Sequence, residues 1–515
     1  MTRAARTAIR TRAFGAQRRM LGLRRLAGGV SFGAWLTAVP ALLVLATAPA
    51  RAQDLFVAGG RLVDPRAQEV VETGLLIVDG VIRATMPEPP AGFAGEILDA
   101  EGRWVIPGLH DLHVHSLLNQ APGGVREIVG SEVVARRMLY AGVTGFLDLF
   151  NEEDYVLELR DRLRAGADSA TADVFAAGPC LTATGGHCTE YPAPTRTIDT
   201  PEQARREIAE LSPKRPDVIK LVYDARPLPT IDPATLEAAV AAAREHGLPT
   251  VVHVGSWDEA RTAAEAGATA ITHLDADDPI PPDLPALLAE RGTLYIPTLA
   301  IYAGLLDLGG ADGRAARSPL LQAVASQEIV AAYRSYDPSV GRLYQFLTEA
   351  RPNVYDAVRK LAAAGVPLVT GTDSGNWGTV HGDSLHHELA LMVDAGLTPW
   401  QALAASTTTA GRLLGRSWGL SPGDEGSVVV LEASPIEDIR NTTRIAAVVH
   451  HGLVVDREEL AAAMFPSLLS REIVAVVWAH LQPRHLVALA VLVALVGGGA
   501  FGVRRLVRRL RRPRT

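Results

Sequence analysis

One short motif, His113-Val114-His115, constrains the fold of this chain more than any other part of the sequence. It closes an apolar, β-prone run that begins at Val105. Because side chains two residues apart in a strand face the same way, both imidazoles are expected on one side of the strand and Val114 on the other. Two imidazoles that converge in this way can share a divalent metal, although surface and core histidines also occur at this spacing. The motif therefore predicts a strand end and a candidate metal site.

Further residues of the kinds that bind metals lie where later apolar, β-branched runs end. These residues are Lys220, His253, His273 and Asp373. Each has an ordinary explanation when taken alone, such as a buried histidine bonded to a carbonyl or an aspartate that caps a helix. Five strand ends with such residues in one order are much harder to explain in that way. Lys220 is the most informative, because only three of the 50 basic residues are lysines.

Ala-rich stretches with helical spacing alternate with these apolar runs, for example at residues 233–246 and 257–266. The alternation predicts an α/β fold, a (β/α)8 TIM barrel with its active site at the C-terminal ends of the strands. The eight predicted strands are Val105 to His115, Gly142 to Leu149, one near Ala172 to Ala177, one ending at Lys220, one ending at His253, one ending at His273, Thr293 to Pro297, and one ending at Asp373.

Together these motifs resemble the amidohydrolase superfamily over residues of about 53 to 460. The resemblance rests on Val105-Ile106-Pro107-Gly108-Leu109, on Thr370-Gly371-Thr372-Asp373-Ser374-Gly375 and on the tail Ser434-Pro435-Ile436-Glu437-Asp438-Ile439-Arg440-Asn441. Gly178-Pro179-Cys180 followed by Thr184-Gly185-Gly186-His187 is most similar to the prolidase-like and imidazolonepropionase-like branch. The family tail often has an Ala-Asp pair where this chain has Gly426-Ser427, a difference that affects no catalytic residue.

The resemblance implies a site with two divalent metal ions. One ion would be held by His113, His115 and Asp373, the other by His253 and His273, and a carboxylated Lys220 would bridge the two. Carboxylation by CO₂ needs a neutral amine, so the pKa of Lys220 is expected to be lowered by burial and neighbouring cations. Zinc is the default metal for a histidine-rich site, with manganese, iron and cobalt as alternatives. A hydroxide bridging the metals would attack a carbonyl, and Asp373 would carry its proton to the leaving amine.

Other residues are candidates for contacts with a substrate. His187 lies after the third strand, where a loop can overhang the metals and hold a substrate carbonyl or carboxylate; a structural loop histidine is the alternative. Tyr223 can donate to a substrate, although packing on the barrel rim is the more ordinary interpretation. Cys180 and Cys188 flank this loop and can form a disulfide in an oxidising compartment, while two buried thiols fit the sequence equally well.

The segment from Leu299 to Leu361 is longer than a typical crossover and is predicted to add helices over the pocket. Its candidate contact residues, each of which can equally be a packing or surface residue, are Tyr302, Tyr333, Tyr336 and Arg342. A packing role is favoured for His381, and a position on a helix face is favoured over ligation for His386 and His387.

Both ends of the chain carry targeting patterns. Residues 1–28 hold eight arginines and no acid, and an apolar stretch then leads to Ala50-Arg51-Ala52, the pattern of an export signal. Arg18-Arg19 resembles a twin-arginine signal; the ordinary secretory route and an uncleaved N-terminal anchor are alternatives. Residues 486–503 are uncharged, and as a helix they would be about 27 Å long, just enough to span a membrane. The alternative is a core helix.

Charge supports this division of the chain. Residues 1–52 contain nine arginines and the tail contains seven, which leaves 34 basic residues against 57 acidic ones, a formal charge of −23 for the body. Nucleic acid is therefore not expected as a partner. The arginines after residue 503 would keep the tail in the cytoplasm, so the catalytic body is expected in the periplasm or outside, anchored by the C-terminal helix.

The resemblance further implies that the segments on either side of the barrel meet as a small β-sandwich. The resulting parts are an export signal (1–52), the first part of the sandwich (53–106), the barrel (107–415), the second part of the sandwich (416–460), a juxtamembrane linker (461–485), a transmembrane helix (486–503) and a basic cytoplasmic tail (504–515).

The sequence thus predicts a metal-dependent hydrolase that acts on a small molecule. The expected reaction is cleavage of an amide or cyclic amide C–N bond, for example in an N-acyl amino acid or an Xaa-Pro-like dipeptide. Hydrolysis of a phosphotriester or a lactone at the same binuclear site is one alternative. A catalytically silent, tethered binding module is the other.

Overall fold

Parallel strands built from apolar, β-branched runs form the centre of the protein. In the computed structural model, which describes residues 54–166, 170–191, 193–337 and 342–465, the regular barrel strands are Leu109–Val114, Val143–Asp148, Asp173–Ala176, Ile219–Tyr223, Thr250–Val254, Ala270–Thr272 and Leu294–Ile296. Inward side chains such as Leu112, Val251 and Leu294 share one buried cluster inside the barrel. Outward neighbours such as Val252 pack with the helices. This architecture confirms the predicted α/β barrel.

The eighth position in the barrel is occupied by an extended segment without regular strand geometry. Its backbone is hydrogen-bonded on both sides: Val369 N donates to Tyr295 O, and Leu112 N donates to Thr370 O, each at 3.0 Å. Gly371 lies in this segment, where a Cβ atom would be only 2.7 Å from the Cβ of His113. The close approach of the segment to the first strand therefore requires glycine.

The third strand also continues after an interruption. Cys180–Thr182 follows Asp173–Ala176 and pairs in parallel with Ile219–Tyr223, while Arg196–Thr197 pairs on its other side. Each piece of this strand pairs with a different neighbouring strand, and together the two pieces close the barrel at this point.

Two predicted strand limits are wrong. The run from Val105 to His115 is divided, because Trp104–Pro107 pairs with Val428–Leu431 in a separate sheet and the barrel strand begins only at Leu109. The fourth strand does not end at Lys220 but continues to Tyr223. Lys220 is therefore its second residue.

Helices cover the outside of the barrel. They are Ser131–Tyr140, Glu153–Arg164, Pro201–Leu211, Pro233–Glu245, Trp257–Glu265, Leu284–Arg291, Asp383–Asp394, Pro399–Ser406, Gly411–Leu414 and Arg457–Ala463. The two Ala-rich helices agree with the predicted stretches to within one residue at the C-terminal end. Pro233 occupies the first turn of its helix, and the side chain of Asp232 accepts a hydrogen bond from the backbone of Thr235, so proline and cap together fix where the helix begins.

The long segment after the seventh strand is helical, as predicted. Its helices are Leu299–Asp307, Arg314–Arg317, Pro319–Val324, Gln327–Ser335 and Arg342–Ala363. The third of these packs next to the fourth, which contacts the antiparallel hairpin Leu118–Ala121 and Val125–Ile128.

The segments before and after the barrel meet in a second β-structure. Its strands are Leu55–Asp64, Glu69–Val78, Val81–Met86, Glu96–Asp99, Trp104–Pro107, Val428–Leu431, Ile445–His450 and Leu453–Val454. All eight belong to one hydrogen-bonded sheet, where a sandwich was expected. Leu55, Leu75 and Val428 are among the fully buried residues of its own apolar core.

The predicted export signal, membrane helix and tail lie outside the described residues, as does the predicted linker after residue 465. The first residues of that linker, 461–463, instead belong to the helix Arg457–Ala463. Within the described part of the chain, no helix has both the length and the apolar character that crossing a membrane requires.

Candidate metal centre

Histidines, a lysine and an aspartate meet at the C-terminal end of the barrel. His115 Nε2 lies 2.9 Å from Asp373 Oδ1, and His113 Nε2 lies 3.4 Å from the same oxygen. The ring centroids of His253 and His273 are 4.4 Å apart, and those of His113 and His273 are 4.8 Å apart. One nitrogen from each of His113 and His273 and one oxygen of Asp373 lie within 4.8 Å of one another. The strand ends therefore bring these predicted ligands to one point.

Lys220 lies beneath this group and has an unusual environment. Its side chain is buried, and among the described residues its Nζ atom has no hydrogen-bond partner. Burial lowers the pKa of Lys220 to about 7, although the charge of Asp373 acts in the opposite direction. A buried amine without a partner is costly, so this site is built to receive a further group.

Left-handed backbone turns aim two of the ligands. His273 follows the inward-facing Thr272 and would point outward in a continued strand, but its φ of +75° turns it into the cluster. Asp373 has a φ of +59° at the end of the eighth segment, and Thr298 has a φ of +50° after the seventh strand. Non-glycine residues rarely adopt this conformation, and such strain clusters at functional sites.

Two threonine hydroxyls fix the orientation of the histidine rings. His113 Nδ1 lies 2.8 Å from Thr272 Oγ1, and His273 Nδ1 lies 2.9 Å from Thr298 Oγ1. Each contact leaves Nε2 directed to the cluster. Hydrogen bonds of this kind to the second ring nitrogen are typical of metal-binding histidines.

Protonation also suits metal binding. Burial lowers the pKa of His253 to about 4 and holds the pKa values of His113 and His273 well below their usual range. Burial alone would raise the pKa of Asp373, but the hydrogen bond and charge of His115 outweigh it and the pKa lies below the ordinary value. Neutral imidazoles beside an ionised carboxylate are the protonation states that a divalent metal requires. The donor set therefore fits divalent cations.

His187 stands over this cluster on a closed loop. Cys180 and Cys188 are disulfide-bonded, with their Cα atoms 6.5 Å apart. The His187 ring centroid lies 4.8 Å from that of His253, and its Nδ1 lies 2.7 Å from Glu190 Oε1. The loop thus brings His187 to the predicted ligands.

Several other candidates lie elsewhere. Tyr223 belongs to the cluster outside the barrel, and its hydroxyl is hydrogen-bonded to Thr262 of the helix Trp257–Glu265, so its side chain lies apart from the candidate metal centre. Tyr302 donates to the backbone oxygen of Leu274. The ring of Tyr336 lies 6.0 Å from that of Trp377, and the side chain of Arg342 is not among those described.

Tyr333 and three further histidines have structural partners. The Tyr333 hydroxyl donates to Gln120 O and accepts from Gly378 N. Nε2 of His381 lies 3.1 Å from the backbone oxygen of His115. His386 contacts Thr442 and Ala141, and His387 forms an ion pair with Asp307, so a helix-face role for both is confirmed.

Three residues near the cluster were not singled out from the sequence. Asn376 donates to Asp373 Oδ1 at 2.8 Å, and Asp224 Oδ2 lies 3.5 Å from His253 Nε2. Two guanidinium nitrogens of Arg226 are buried without a hydrogen-bond partner in the described part of the chain. Asp224 and Arg226 directly follow the fourth strand, a position in the sequence that could have identified them.

Comparison with known proteins places the chain among hydrolases. Residues 104–455 match the model of the Amidohydrolase family. An uncharacterized protein of Mycobacterium tuberculosis is 29% identical over 376 residues, which cover 71% of this chain and 86% of that protein. Ochratoxinase of Aspergillus niger is 24% identical over 392 residues, 67% of this chain and 74% of that protein.

A solved Xaa-Pro dipeptidase with bound methionine shares the fold, with a TM-score of 0.64 and 20% identity over 78% of this chain and 99% of that one. The structural likeness agrees with the family match, which spans more than half of the sequence. The chain therefore belongs to the amidohydrolase family and is an enzyme that acts on carbon–nitrogen bonds.

Proposed function

We propose that this enzyme uses two divalent metal ions, zinc by donor chemistry, to cleave an amide or cyclic amide C–N bond in a small molecule. The observation that carries the proposal is the convergence of predicted ligands around the buried, unpartnered amine of Lys220. An N-acyl amino acid or an Xaa-Pro-like dipeptide is the substrate class to test first. The Xaa-Pro dipeptidase among the similar structures supports that choice.

The ligands would be divided between two positions. His113, His115 and Asp373 would hold one ion, and His253 and His273 the other. Lys220 would join them as a carbamate, since a pKa of about 7 leaves much of the amine neutral and able to react with CO₂ near pH 7. When bound, the cations would polarise the scissile carbonyl and lower the pKa of the attacking water.

Asp373 is the residue that we assign to proton transfer. Its carboxylate is held ionised by His115 and is oriented by the amide of Asn376, so one oxygen can accept a proton from the attacking water. The same group then delivers that proton to the leaving nitrogen. This transfer makes the amine a stable leaving group.

His187 and Arg226 would position the substrate. His187 lies beside His253 on the disulfide-closed loop, and Glu190 fixes its Nδ1 atom, so its Nε2 atom can contact a substrate carbonyl or carboxylate. Arg226 follows the fourth strand, and its buried Nε and Nη2 atoms have no hydrogen bond in the described part of the chain, although Nη1 and Nη2 lie 3.5 and 3.6 Å from carboxylate oxygens of Asp277 and Asp275. A substrate carboxylate would add short hydrogen bonds that these longer ion-pair contacts lack.

The experiment compares the wild-type chain with Lys220→Ala and with Lys360→Ala, a control in which an exposed lysine is removed. Each protein is prepared with bicarbonate and zinc, and its metal content and its hydrolysis of N-acyl amino acids, Xaa-Pro dipeptides, lactones and phosphotriesters are measured. We expect about two metals in the wild type, fewer in Lys220→Ala, and amide cleavage that falls at least 100-fold in that variant alone.

Faster hydrolysis of lactones or phosphotriesters than of amides would favour the second reaction class at the same site. One metal, unchanged in Lys220→Ala, would refute the lysine-bridged pair. Tight ligand binding by metal-loaded protein without any hydrolysis would instead support a binding module.

A further inference from the structure

A second group of metal-binding side chains lies at the opposite end of the barrel. Asp173 is the first residue of the third barrel strand, whereas the candidate metal centre lies at the C-terminal strand ends. His450 ends a strand of the eight-stranded sheet, and His451 begins the turn that follows. This group therefore joins the barrel to the sheet and is separate from the site described above.

The distances within this group suit direct coordination. His451 Nε2 lies 3.0 Å from Asp173 Oδ2, and His450 Nε2 lies 3.8 Å from Asp173 Oδ1. One ligand atom from each residue lies within 4.8 Å of the others. Ligands bound tetrahedrally to zinc at 2.0–2.1 Å are about 3.4 Å apart, so small movements of these side chains would place an ion between them.

The second nitrogen of each imidazole faces an oxygen. His450 Nδ1 lies 3.3 Å from Ser427 Oγ, and His451 Nδ1 lies 3.7 Å from Glu425 Oε1. The first contact directs Nε2 of His450 to Asp173, whereas the second is a longer electrostatic contact. An imidazole oriented like that of His450 is a recurring feature of zinc sites. Burial lowers the pKa of His451, but the hydrogen bond and charge of Asp173 raise it to about 9, so a bound cation would displace the imidazole proton.

The backbone brings two adjacent histidines to the same side. Consecutive residues of a strand point in opposite directions, but His451 has a φ of +48° and Gly452 a φ of +77°, so the chain turns between them. The ring centroids of His450 and His451 are consequently 4.1 Å apart. Histidine is among the residues that tolerate such a left-handed position, together with asparagine and aspartate.

Access and donor chemistry indicate the kind of ion. The side chain of His450 is 5% exposed and that of His451 is 42% exposed, so one ligand is preorganised and the site still opens to solvent. Two imidazoles and a carboxylate favour zinc or a similar divalent transition metal over magnesium or calcium.

We infer that Asp173, His450 and His451 form a second, structural site for a zinc-like divalent cation, which links the sheet to the N-terminal end of the barrel. Water would complete the coordination. The ion would hold the turn of the sheet against the third barrel strand, remote from the chemistry.

The test measures zinc per chain in the full-length wild type and in His451→Asn, because asparagine tolerates the left-handed turn. Asp173→Asn is the second variant, and His246→Asn, at an exposed helix end, is the matched control. After dialysis against micromolar zinc, we expect one metal fewer in each of the first two variants and no change in the control. Zinc should also raise the thermal midpoint less in these two variants than in the wild type.

The comparison is a difference between variants, so it holds whatever number of metals the main centre binds and whether or not the proposed reaction is correct. Equal metal content in the wild type and both variants would overturn the inference. So would an additional ion that appears only at millimolar zinc. In either case the contact would be an ion pair between His451 and Asp173 only.

Discussion

Single hydroxyl groups determine how the histidines of the candidate metal centre are aimed. Thr272 Oγ1 and Thr298 Oγ1 contact the Nδ1 atoms of His113 and His273. Both threonines are buried, so no water competes easily for these contacts. Loss of one hydroxyl would leave a ring free to rotate and its Nδ1 atom without a partner.

We therefore predict that Thr272→Val weakens zinc binding about 10- to 100-fold, since valine keeps the shape of threonine and removes only the hydroxyl. Competition with a chelator of known affinity measures the change. Thr262→Val is the control, because that hydroxyl bonds to Asp258 within an outer helix. Equal zinc affinity in both variants would show that the Thr272 contact does not orient His113.

At this scale, residue types were easier to predict from the sequence than their orientations. His113 and His115 could be predicted because strand periodicity alone places them together and sends Val114 to the outer cluster. The inward turn of His273 could not be predicted, because it depends on a left-handed φ that no local sequence pattern indicates. Arg226 was missed because its position matters only once the fourth strand is known to end at Tyr223.

Among the structural elements, the loop from Cys180 to Cys188 contributes most directly to the proposed site. The disulfide joins Cys180, where the third strand resumes, to Cys188, the residue next to His187. The contact between His187 and Glu190 then fixes the ring within the loop. Because these contacts already restrict the loop, it loses little further conformational entropy when a substrate binds.

Replacing both cysteines by serine is expected to cost about 2 to 3 kcal/mol of stability, because the unfolded chain is no longer cross-linked. It should also raise KM several-fold while the metal content stays the same, since His187 would be less well positioned. Urea unfolding, substrate kinetics and elemental analysis measure the three effects. An unchanged KM would show that the loop does not contribute to substrate binding.

The regular elements of the barrel were well predicted because helix and strand periodicities alternate clearly in the sequence. The division of the run before His113 was not, since Trp104–Pro107 is as apolar as the barrel strand that follows it. Only the partner strand Val428–Leu431, more than 300 residues later, assigns it to the other sheet. The eighth segment could similarly be predicted from its residue types, whereas its irregular backbone could not be predicted.

For the molecule as a whole, the barrel and the eight-stranded sheet share residues as well as an interface. Val429 pairs with Ile106 in the sheet, and its side chain packs in the cluster that surrounds the barrel. Its methyl groups also lie against Gly142, which precedes the second barrel strand. Such contacts predict that the two parts unfold together.

Val429→Ala is accordingly expected to destabilise both parts by about 2 kcal/mol through the lost methyl groups and the cavity that remains. Trp104 reports on the sheet and Trp418 on the inside of the barrel, so tryptophan fluorescence and far-UV circular dichroism should give one shared transition that moves to lower urea. Val70→Ala, at a side chain that is 41% exposed, should leave the transition unmoved. Two separate transitions would show that the barrel and the sheet unfold independently, contrary to this prediction.

We propose that the whole protein is exported and held at a membrane by residues 486–503. The uncharged run followed by arginines supports the anchor, and the disulfide between Cys180 and Cys188 supports an oxidising compartment. A helix of 18 residues would be about 27 Å long against a hydrocarbon core of about 30 Å, so anchoring should depend on nearly the whole run.

The full chain should therefore stay with membranes after an alkaline wash, whereas a chain ending at residue 484 should be released. A chain ending at residue 503 keeps the apolar run but loses the arginines, so it should remain bound while its orientation becomes mixed. Protease added to spheroplasts, from which the outer envelope has been removed, measures that orientation. It should digest the catalytic body of the full chain, because that body is expected outside the membrane. Release of the full chain by the wash would refute the anchor, and protection of its body from the protease would refute export.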